Sequence, residues 1–349
     1  MSRDFTEPSN RRNPPSGGVL SVDPYVGRYR DAKGGSELMY DELMRRLPHE
    51  LSDRFQIIVS RVREFLPGKK AILWCQDPWC ARESKHLALP ESRQRFKKIV
   101  FVSNYQFTTY YQGLGVPYSE SVVLGNAIVP IATTLPPKPD DTIRLVYHSM
   151  PDRGLELLLP VFIRLAQQRP KLHLDVYSSF RLYGQDRRDT RYEPLFNICR
   201  THPQISYHGA VPNDHIREAL KRTHIFAYPC SVFETFCIAA VEAMSAGCLV
   251  VCPDVAALAE TVSTHGLVYR WTENSEVHKE RFAAALVSAI DMTEKATAVD
   301  LLTSAQRRVM RRYNWATRIV EWTRMLEGIL DGDGSAPAGE RRKHVPARS

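Results

Sequence analysis

The sequence predicts an α/β protein with two doubly wound parallel sheets, one in each half of the chain. The chain has 349 residues, which is long for a single hydrophobic core and suits two domains of ordinary size. Short apolar runs alternate with segments of helical period, which is typical of βα units on a parallel sheet. A stretch at 132–142 contains three prolines and little to bury, which is typical of an interdomain linker.

The first half of the chain is predicted to form a small domain after a polar N-terminal segment. Residues 1–18 end in RRNPPSGG and predict a flexible N-terminus. The N-terminal domain is predicted to span 19–135. The linker itself is predicted at 136–142, within the proline-containing stretch. The predicted strands of the domain lie at 55–60, 70–75, 98–103 and 121–124, and its predicted helices at 36–47 and 104–114.

The second half has a clearer α/β pattern. The C-terminal domain is predicted at 143–297, with strands at 143–148, 172–178, 205–208, 224–228, 248–253 and 266–269. Helices are predicted at 155–168, 215–222, 236–246, 255–263 and 275–292. Two later helices, within 298–330, are expected to pack back across both domains, and 331–349 is expected to be a disordered basic tail. Ligands of doubly wound sheets bind at the carboxyl ends of the strands, so a central cleft between the domains is the expected site.

Composition limits the function classes. Hydrophobic residues make up 43% of the chain and charged residues 25%, as in a globular protein. The net charge of +8, from 47 Lys and Arg against 39 Asp and Glu, favours an anionic partner: nucleotide phosphates, an anionic membrane surface or nucleic acid. The basic residues form no stripe interleaved with aromatic residues, which argues against nucleic acid.

Membrane spans and disulfides are not expected. No apolar run approaches the ~18–20 residues of a membrane span, and the polar N-terminus lacks the apolar segment of a signal peptide. The seven cysteines are odd in number and form no CxxC pair, which argues against a disulfide framework or structural zinc. We therefore expect a cytoplasmic protein, with at most peripheral contact between its basic residues and a membrane.

Two carboxylates mark the region 228–251, which reads as a strand, a loop and a helix. The helix is predicted to start near Thr235, with Glu234 just before it. Glu242 follows eight residues after Glu234, so both carboxylates can face one side of the helix. Two carboxylates so placed can accept hydrogen bonds from sugar hydroxyls. In the alternative interpretation, Glu234 complements the helix dipole and Glu242 is a solvated surface residue. The backbone amides predicted to be free for a phosphate are those of Thr235, Phe236, Cys237 and Ile238.

Two further loops contain glycine and precede predicted helices. In the first, after the predicted strand at 143–148, Ser149 precedes Arg153 and Gly154; a guanidinium suits a phosphate and a glycine leaves room for it. Taken alone, an arginine such as Arg153 is more often a surface residue. The second loop, Gly34 and Gly35, precedes the first predicted helix, although glycine pairs are common in turns.

The region from Glu234 resembles the donor-site motif of the retaining family 4 glycosyltransferases, whose pattern is E-x-F-G-[IL]-x-x-x-E-A-[ML]-A-x-G-x-P-V-[VI]. The matching positions are Glu234, Phe236, Ile238, Glu242, Ala243, Met244, Gly247, Val250 and Val251. Three positions depart from the pattern: Cys237, Ser245 and Leu249 replace Gly, Ala and Pro. Residues 149–158 also resemble the family loop S-x-P-x-R-G-L-x-x-L.

The resemblance implies the GT-B fold, in which two Rossmann-like domains face a central cleft. It implies that Glu234 holds hydroxyls of the donor sugar, that Glu242 holds the ribose diol and that Arg153 reaches the diphosphate. Gly34 and Gly35 would approach the donor phosphate and the acceptor. Many relatives carry a second cation in or near this site, whereas this chain has Met150 where we looked for it.

Two strand ends supply candidate acceptor contacts, Asp77 and His148. A structural cap is an equal alternative for Asp77, as is a packed strand position for His148.

The function implied is a hexosyl-type glycosyltransferase in glycan biosynthesis. It would move a sugar from a UDP- or GDP-type nucleotide-sugar to a glycan, lipid-linked or other hydroxyl acceptor with retention of configuration. Neither a metal nor another cofactor is expected, because no Asp-x-Asp pair stands at a strand end. The alternatives are a catalytically silent GT-B protein that binds nucleotide-sugar or glycan, and a nucleic-acid-binding protein.

Overall fold

The structure is a computed structural model that describes residues 34–334. The predicted flexible segment at 1–18, the start of the first domain at 19–33 and the tail from 335 onward lie outside the described residues. The described part forms an α/β structure with two parallel sheets, of four and six strands.

The first domain is built on the four-stranded sheet, in which the strands lie in the order β1-β2-β3-β4. Its strands are β1 (Phe55–Val59), β2 (Lys70–Cys75), β3 (Lys98–Phe101) and β4 (Ser121–Val123). Its helices are α1 (Gly35–Arg46), α2 (His49–Arg54), α3 (Pro90–Arg93) and α4 (Asn104–Leu114). Short 3-10 segments span Arg82–Ala88 and Tyr118–Glu120.

The second domain is built on a six-stranded parallel sheet in the order β10-β9-β8-β5-β6-β7. Its strands are β5 (Ile143–His148), β6 (Leu172–Tyr177), β7 (Ile205–Tyr207), β8 (Ile225–Ala227), β9 (Leu249–Pro253) and β10 (Leu267–Tyr269). Its helices are α5 (Leu155–Gln168), α6 (Glu193–Thr201), α7 (Asn213–Leu220), α8 (Ile238–Ser245), α9 (Leu258–Thr261) and α10 (Ser275–Glu294). Further 3-10 segments span Pro151–Arg153, Phe180–Tyr183 and Asp186–Tyr192.

Each strand and helix predicted for the described range is present, with ends that differ by a few residues. The strand order of the second sheet reverses between β5 and β8, which opens a crevice at the carboxyl ends of these two strands. The crevice faces the first domain, because Thr235 in the loop that follows β8 is hydrogen-bonded to Gln76 and Ser103, which lie just after β2 and β3. The predicted ligand site and the observed domain interface therefore coincide.

The helices cover the sheets with apolar faces of helical period. In α5, Leu155, Leu158, Phe162 and Leu165 recur three or four residues apart, and all four are buried. The strands they cover are buried on both faces, as expected for a parallel sheet: Leu145 and Val146 of β5 are both 0% exposed.

The chain returns to the first domain after α11 (Val299–Arg312). The backbone N–H of Ile128 donates to the carbonyl of Tyr313 (2.7 Å), and the N–H of Trp315 donates to the carbonyl of Ile128 (3.2 Å). In α12 (Trp315–Gly334), the ring of Trp322 then packs edge-on against Trp74 of β2, with 5.0 Å between the ring centroids. The predicted return of the C-terminal helices is confirmed, and α12 extends into the predicted tail.

The proline-containing stretch between the domains lies along the second domain. The Lys138 ammonium donates to the carbonyls of Leu220 (3.1 Å) and Ala246 (2.8 Å), and burial lowers its pKa. The amide of Gln306 donates to the carbonyls of Ala132 and Thr134, both at 3.2 Å. These bonds fix the path of the connection despite its lack of regular secondary structure.

All seven cysteines are unpaired, and all but Cys80 are buried. Within 34–334, no helix combines the length and the apolar character that crossing a bilayer demands.

Candidate active site

Helix α8 begins at Ile238, so the prediction that it starts near Thr235 was wrong. The side-chain hydroxyl of Thr235 donates a hydrogen bond to the carbonyl of Gln76 (2.8 Å). The hydroxyl of Ser103 donates to the carbonyl of Thr235 (2.7 Å). These bonds to the first domain keep the chain out of the helix. Consequently Thr235, Phe236 and Cys237 offer no helical amides, and Glu234 does not share a helix face with Glu242.

Cys237 carries the backbone strain of this loop. Its φ of 75° lies in the left-handed region, where a side chain clashes with the backbone at a cost of roughly 1–2 kcal/mol. The family pattern has glycine here, which adopts this conformation freely. Cysteine in place of glycine at position 237 therefore preserves the conformation of the loop at an energetic cost.

Glu234 and Arg153 meet at the mouth of the crevice, but they are paired with each other. The Arg153 guanidinium forms an ion pair with Glu234, whose carboxylate also accepts a hydrogen bond from the Tyr228 hydroxyl. Glu234 is only 7% exposed, so its carboxylate is largely shielded from solvent. The neighbouring Glu234 raises the pKa of Arg153 further, so the guanidinium is charged at any working pH.

Gly154 positions Arg153. Its φ of 115° is open to glycine alone, and a Cβ at this position would collide with the carbonyl of Pro229. The glycine thus lets the Arg153 loop lie directly on the segment that leads to Glu234. Ser149, at the start of this loop, lies 3.4 Å from the Tyr228 hydroxyl.

Glu242 is buried rather than solvated. It is 5% exposed, and its carboxylate accepts hydrogen bonds from Arg217 (3.2 Å) and from the amide of Asn213 (3.2 Å). Burial raises the pKa of Glu242, and Arg217 opposes this rise. Arg217 also donates to the carbonyl of Val129 (2.8 Å). Asn213 and Arg217 were missed by the sequence analysis; their four-residue spacing on a short helix is the signal that could have found them.

The glycine pair of the first domain lies against the second domain. A Cβ on Gly34 would collide with the Tyr183 ring, and one on Gly35 would lie 3.2 Å from a methyl carbon of Ile238. Phe236 packs against the Tyr313 ring, perpendicular to it at 5.4 Å. The structure therefore brings the glycine pair of the first domain to Tyr183 and to the start of α8.

A second interdomain contact was not predicted. The carboxylate of Glu260 accepts hydrogen bonds from the backbone N–H groups of Asn104 (3.1 Å) and Tyr105 (3.0 Å), and from the Asn104 amide (2.8 Å). A carboxylate of the second domain thus caps the N-terminus of α4 in the first. Nothing in the local sequence around Glu260 indicates this partner.

The two candidate acceptor contacts differ in their surroundings. The backbone carbonyl of Asp77 accepts bonds from Gln106 (2.9 Å) and Tyr110 (3.0 Å), whereas its carboxylate has no partner within the described range. His148 is 7% exposed and packs against Phe226 at 4.8 Å. Burial lowers the pKa of His148 to about 4, so it is neutral at pH 7. The structure favours a packed role for His148, and acceptor contact by either residue stays a prediction.

Two other features bear on the chemistry of the site. Met150, where we looked for a second cation, is buried at 9% exposure. Among residues 34–334, no group of three or more His, Cys, Asp or Glu side chains is arranged to hold a metal ion.

Comparison with known proteins finds a match for most of the second domain. Residues 143–292 match the family described as glycosyl transferases group 1. This chain is also 27% identical over 149 residues to the phosphatidylinositol N-acetylglucosaminyltransferase gpi3 subunit of Schizosaccharomyces pombe. That match covers 41% of this chain and 31% of the yeast protein, so the chain corresponds to about a third of its curated relative.

Solved structures show that the whole fold is GT-B. A glycosyltransferase from Rickettsia africae superposes with a TM-score of 0.63 at 13% identity, over 87% of this chain and 84% of that one. Sucrose-phosphate synthase from Thermosynechococcus elongatus gives 0.60 at 13% identity, over 76% and 69%. Anabaena Alr3699/HepE in complex with UDP-glucose gives 0.58 at 16% identity, over 76% and 72%. The predicted two-domain GT-B architecture is confirmed.

Proposed function

We propose that this protein transfers a sugar from a nucleotide-sugar to a hydroxyl acceptor with retention of anomeric configuration. One observation carries the proposal: Arg153 and Glu234 form an ion pair beyond the carboxyl ends of β5 and β8, where the order of the second sheet reverses, and the glycine pair of the first domain packs against Tyr183 and Ile238 of the second domain. A cation, a backbone that can approach closely and a buried carboxylate are what a sugar diphosphate requires.

The donor would lie along the segment from Glu242 to Arg153. A carboxylate has about four acceptor positions, and Asn213 and Arg217 occupy only part of those on Glu242, so the ribose diol can use the others. The diphosphate would lie beside Arg153, which stabilises the negative charge that develops as the leaving group departs.

Donor binding would exchange the partners of Arg153 and Glu234, which form an ion pair in the free protein. When the guanidinium turns to the diphosphate, the Glu234 carboxylate loses its cation and becomes free to accept from hydroxyls of the donor sugar. The hydroxyl of Tyr228 continues to hold the carboxylate in place. Resemblance to the retaining family implies that the acceptor attacks from the face that the leaving group vacates, without a protein base.

The proposed donor is of the UDP or GDP type, and the proposed acceptor is a lipid-linked or glycan hydroxyl. Alr3699/HepE was crystallised with UDP-glucose, which supports a uridine donor. The name of the yeast relative describes transfer of N-acetylglucosamine to phosphatidylinositol, which supports a lipid acceptor. The net charge of +8 supports peripheral contact with an anionic membrane.

We further propose that transfer needs no metal, since Arg153 supplies the positive charge that a metal would otherwise provide. Donor hydrolysis and transfer should then be unchanged in excess chelator. Loss of activity in chelator, with recovery on addition of Mn²⁺ or Mg²⁺, would contradict this mechanism.

A panel of nucleotide-sugars tests the function as a whole. We expect one donor to raise the melting temperature, because a ligand that binds only the folded state stabilises it by mass action. The same donor should be hydrolysed slowly, and NMR of the product formed with an acceptor should show the donor's anomeric configuration. Binding without any turnover would favour the catalytically silent alternative. Salt-sensitive DNA binding without nucleotide-sugar binding would favour a nucleic-acid-binding protein.

A further inference from the structure

Helix α9 is hydrogen-bonded to the loop that carries Glu234. Just before the helix, the backbone N–H of Ala257 donates to the carbonyl of Glu234 (3.1 Å). At the last residue of the helix, the hydroxyl of Thr261 donates to the carbonyl of Phe236 (2.6 Å), and Thr261 is 1% exposed. The two ends of α9 therefore hold the loop on either side of Thr235, so a displacement of the helix would move the backbone of Glu234.

The same helix is bonded to the first domain through one side chain. The carboxylate of Glu260 accepts from the backbone N–H groups of Asn104 (3.1 Å) and Tyr105 (3.0 Å), and from the Asn104 amide (2.8 Å). These N–H groups belong to the first turn of α4, a helix of 11 residues, where the helix dipole favours a negative charge. One carboxylate thus makes three hydrogen bonds that cross the domain interface.

Residues from the C-terminal part of the chain hold α9 as well. The Arg308 guanidinium donates to the carbonyls of Glu260 (2.7 Å) and Thr261 (3.2 Å). The Tyr313 hydroxyl also donates to the carbonyl of Thr261 (3.2 Å). A helix of four residues gains little from its own hydrogen bonds, so these partners decide where α9 lies. Glu260 is consequently presented to α4 by a fixed backbone.

We propose that Glu260 is a positioning residue for sugar transfer. This inference rests on the proposed function. Through α9, Glu260 sets the position of the Glu234 loop relative to the first domain, which contains the candidate acceptor contact Asp77. The groups proposed to hold the nucleoside diphosphate, Arg153 and Glu242, belong to the second domain. Loss of Glu260 should therefore slow transfer and leave the affinity for nucleoside diphosphate unchanged.

The other bonds of the loop limit the size of the effect. Thr235 is hydrogen-bonded to Gln76 and Ser103 of the first domain, and these bonds do not involve Glu260. We therefore expect the loop to shift slightly when Glu260 is removed, while the domains stay associated. A misplacement of ~1 Å can slow a reaction roughly a hundred-fold, so the expected fall in transfer is about ten- to hundred-fold.

Glu260→Ala and Glu260→Gln test the inference together. Glu260→Ala removes all three bonds, whereas the amide oxygen of glutamine can keep the two from Asn104, which share one carboxylate oxygen. The kcat of transfer should fall about ten- to hundred-fold in Glu260→Ala and less in Glu260→Gln. Calorimetry should show wild-type affinity for nucleoside diphosphate in both. Glu193→Ala is the matched control and should change neither quantity, since this carboxylate bonds to Arg200 of its own helix (2.7 Å).

A double-mutant cycle with Asn104→Ala separates the domain contact from the folding of α9. Asn104→Ala removes one of the three bonds and leaves both backbone N–H groups in place, so kcat should fall by a smaller factor. In the Glu260→Ala background the same substitution should have no further effect, because its partner is already gone. If Glu260 acted only within α9, the two losses would multiply instead.

The remaining outcomes are also decisive. Normal kcat in Glu260→Ala would overturn the inference. Equal losses of kcat and of nucleoside diphosphate affinity would also overturn it, because Glu260 would then support the fold of the second domain. If Glu260→Ala does not fold, normal kcat in both Glu260→Gln and Asn104→Ala would overturn it. If the wild-type protein neither binds nucleoside diphosphate nor transfers sugar, the proposed function fails as well; if it does both and Glu260→Ala matches it, only this inference fails.

Discussion

Replacing Glu234 by glutamine should change the binding of free nucleoside diphosphate and the rate of sugar transfer in opposite directions. In the free protein Glu234 neutralises Arg153, the cation proposed to bind the diphosphate. Glutamine keeps the shape of the side chain and an amide oxygen that can accept from Tyr228. The variant Glu234→Gln therefore frees the guanidinium and leaves the local packing in place.

The expected gain in affinity follows from the solvent exposure of the Arg153–Glu234 ion pair. The side chain of Glu234 is 8% exposed and that of Arg153 is 35% exposed, so solvent screens the pair and breaking it costs about 1 kcal/mol. Removing this cost should tighten binding of free nucleoside diphosphate about five-fold. Transfer should fall roughly ten- to hundred-fold, because a charge-assisted bond to the sugar contributes about 1.5–3 kcal/mol in the transition state.

Calorimetric titration with nucleoside diphosphate, beside a transfer or hydrolysis assay, measures both effects. Glu276→Gln is the control, because it removes a carboxylate of α10 that lies outside the proposed site and pairs with the nearby Lys279 (2.7 Å). If Glu234 only complemented a helix dipole, neither affinity nor turnover would change appreciably. Normal turnover in Glu234→Gln would refute the placement of the donor sugar.

Three further predictions concern single residues. Arg153→Ala should weaken binding of nucleoside diphosphate and of nucleotide-sugar ten- to hundred-fold in calorimetry, by about 1.5–3 kcal/mol; unchanged affinity in a folded variant would place Arg153 outside the site. Glu242→Gln should weaken both ligands by the same factor, since the ribose is common to them, and a loss confined to the nucleotide-sugar would contradict the ribose contact. Burial lowers the pKa of His148 to about 4, so folding disfavours its charged form: stability is full above pH 6.5 and falls as the pH drops toward 4. Between pH 7 and 5 this loss is about 2 kcal/mol, and urea unfolding at both pH values should show His148→Phe to be less sensitive to acid by that amount.

The regular elements could be predicted because their signals are local. The strand Lys70–Cys75 and the helix Asn104–Leu114 have the ends that the sequence predicts. Ser103 accepts from the N–H of Gln106 at the start of that helix, and Gly115, with φ of 66°, ends it. Such caps act within a few residues and are visible in the sequence. The start of α8 could not be predicted in this way, because bonds from Thr235 to the other domain override the local helical pattern.

The sequence by itself determined the α/β alternation and the presence of three charged side chains in the second half of the chain, Arg153, Glu234 and Glu242. The tertiary structure alone decided how those groups are paired. Arg153 and Glu234 are separated by 81 positions and form an ion pair only because β5 and β8 are neighbours in the second sheet. The buried Glu242 has a cationic partner only because the fold brings Arg217 of α7 to it. Periodicity and capping act over a few residues, whereas the partner of a buried charge depends on which distant segments the fold packs together.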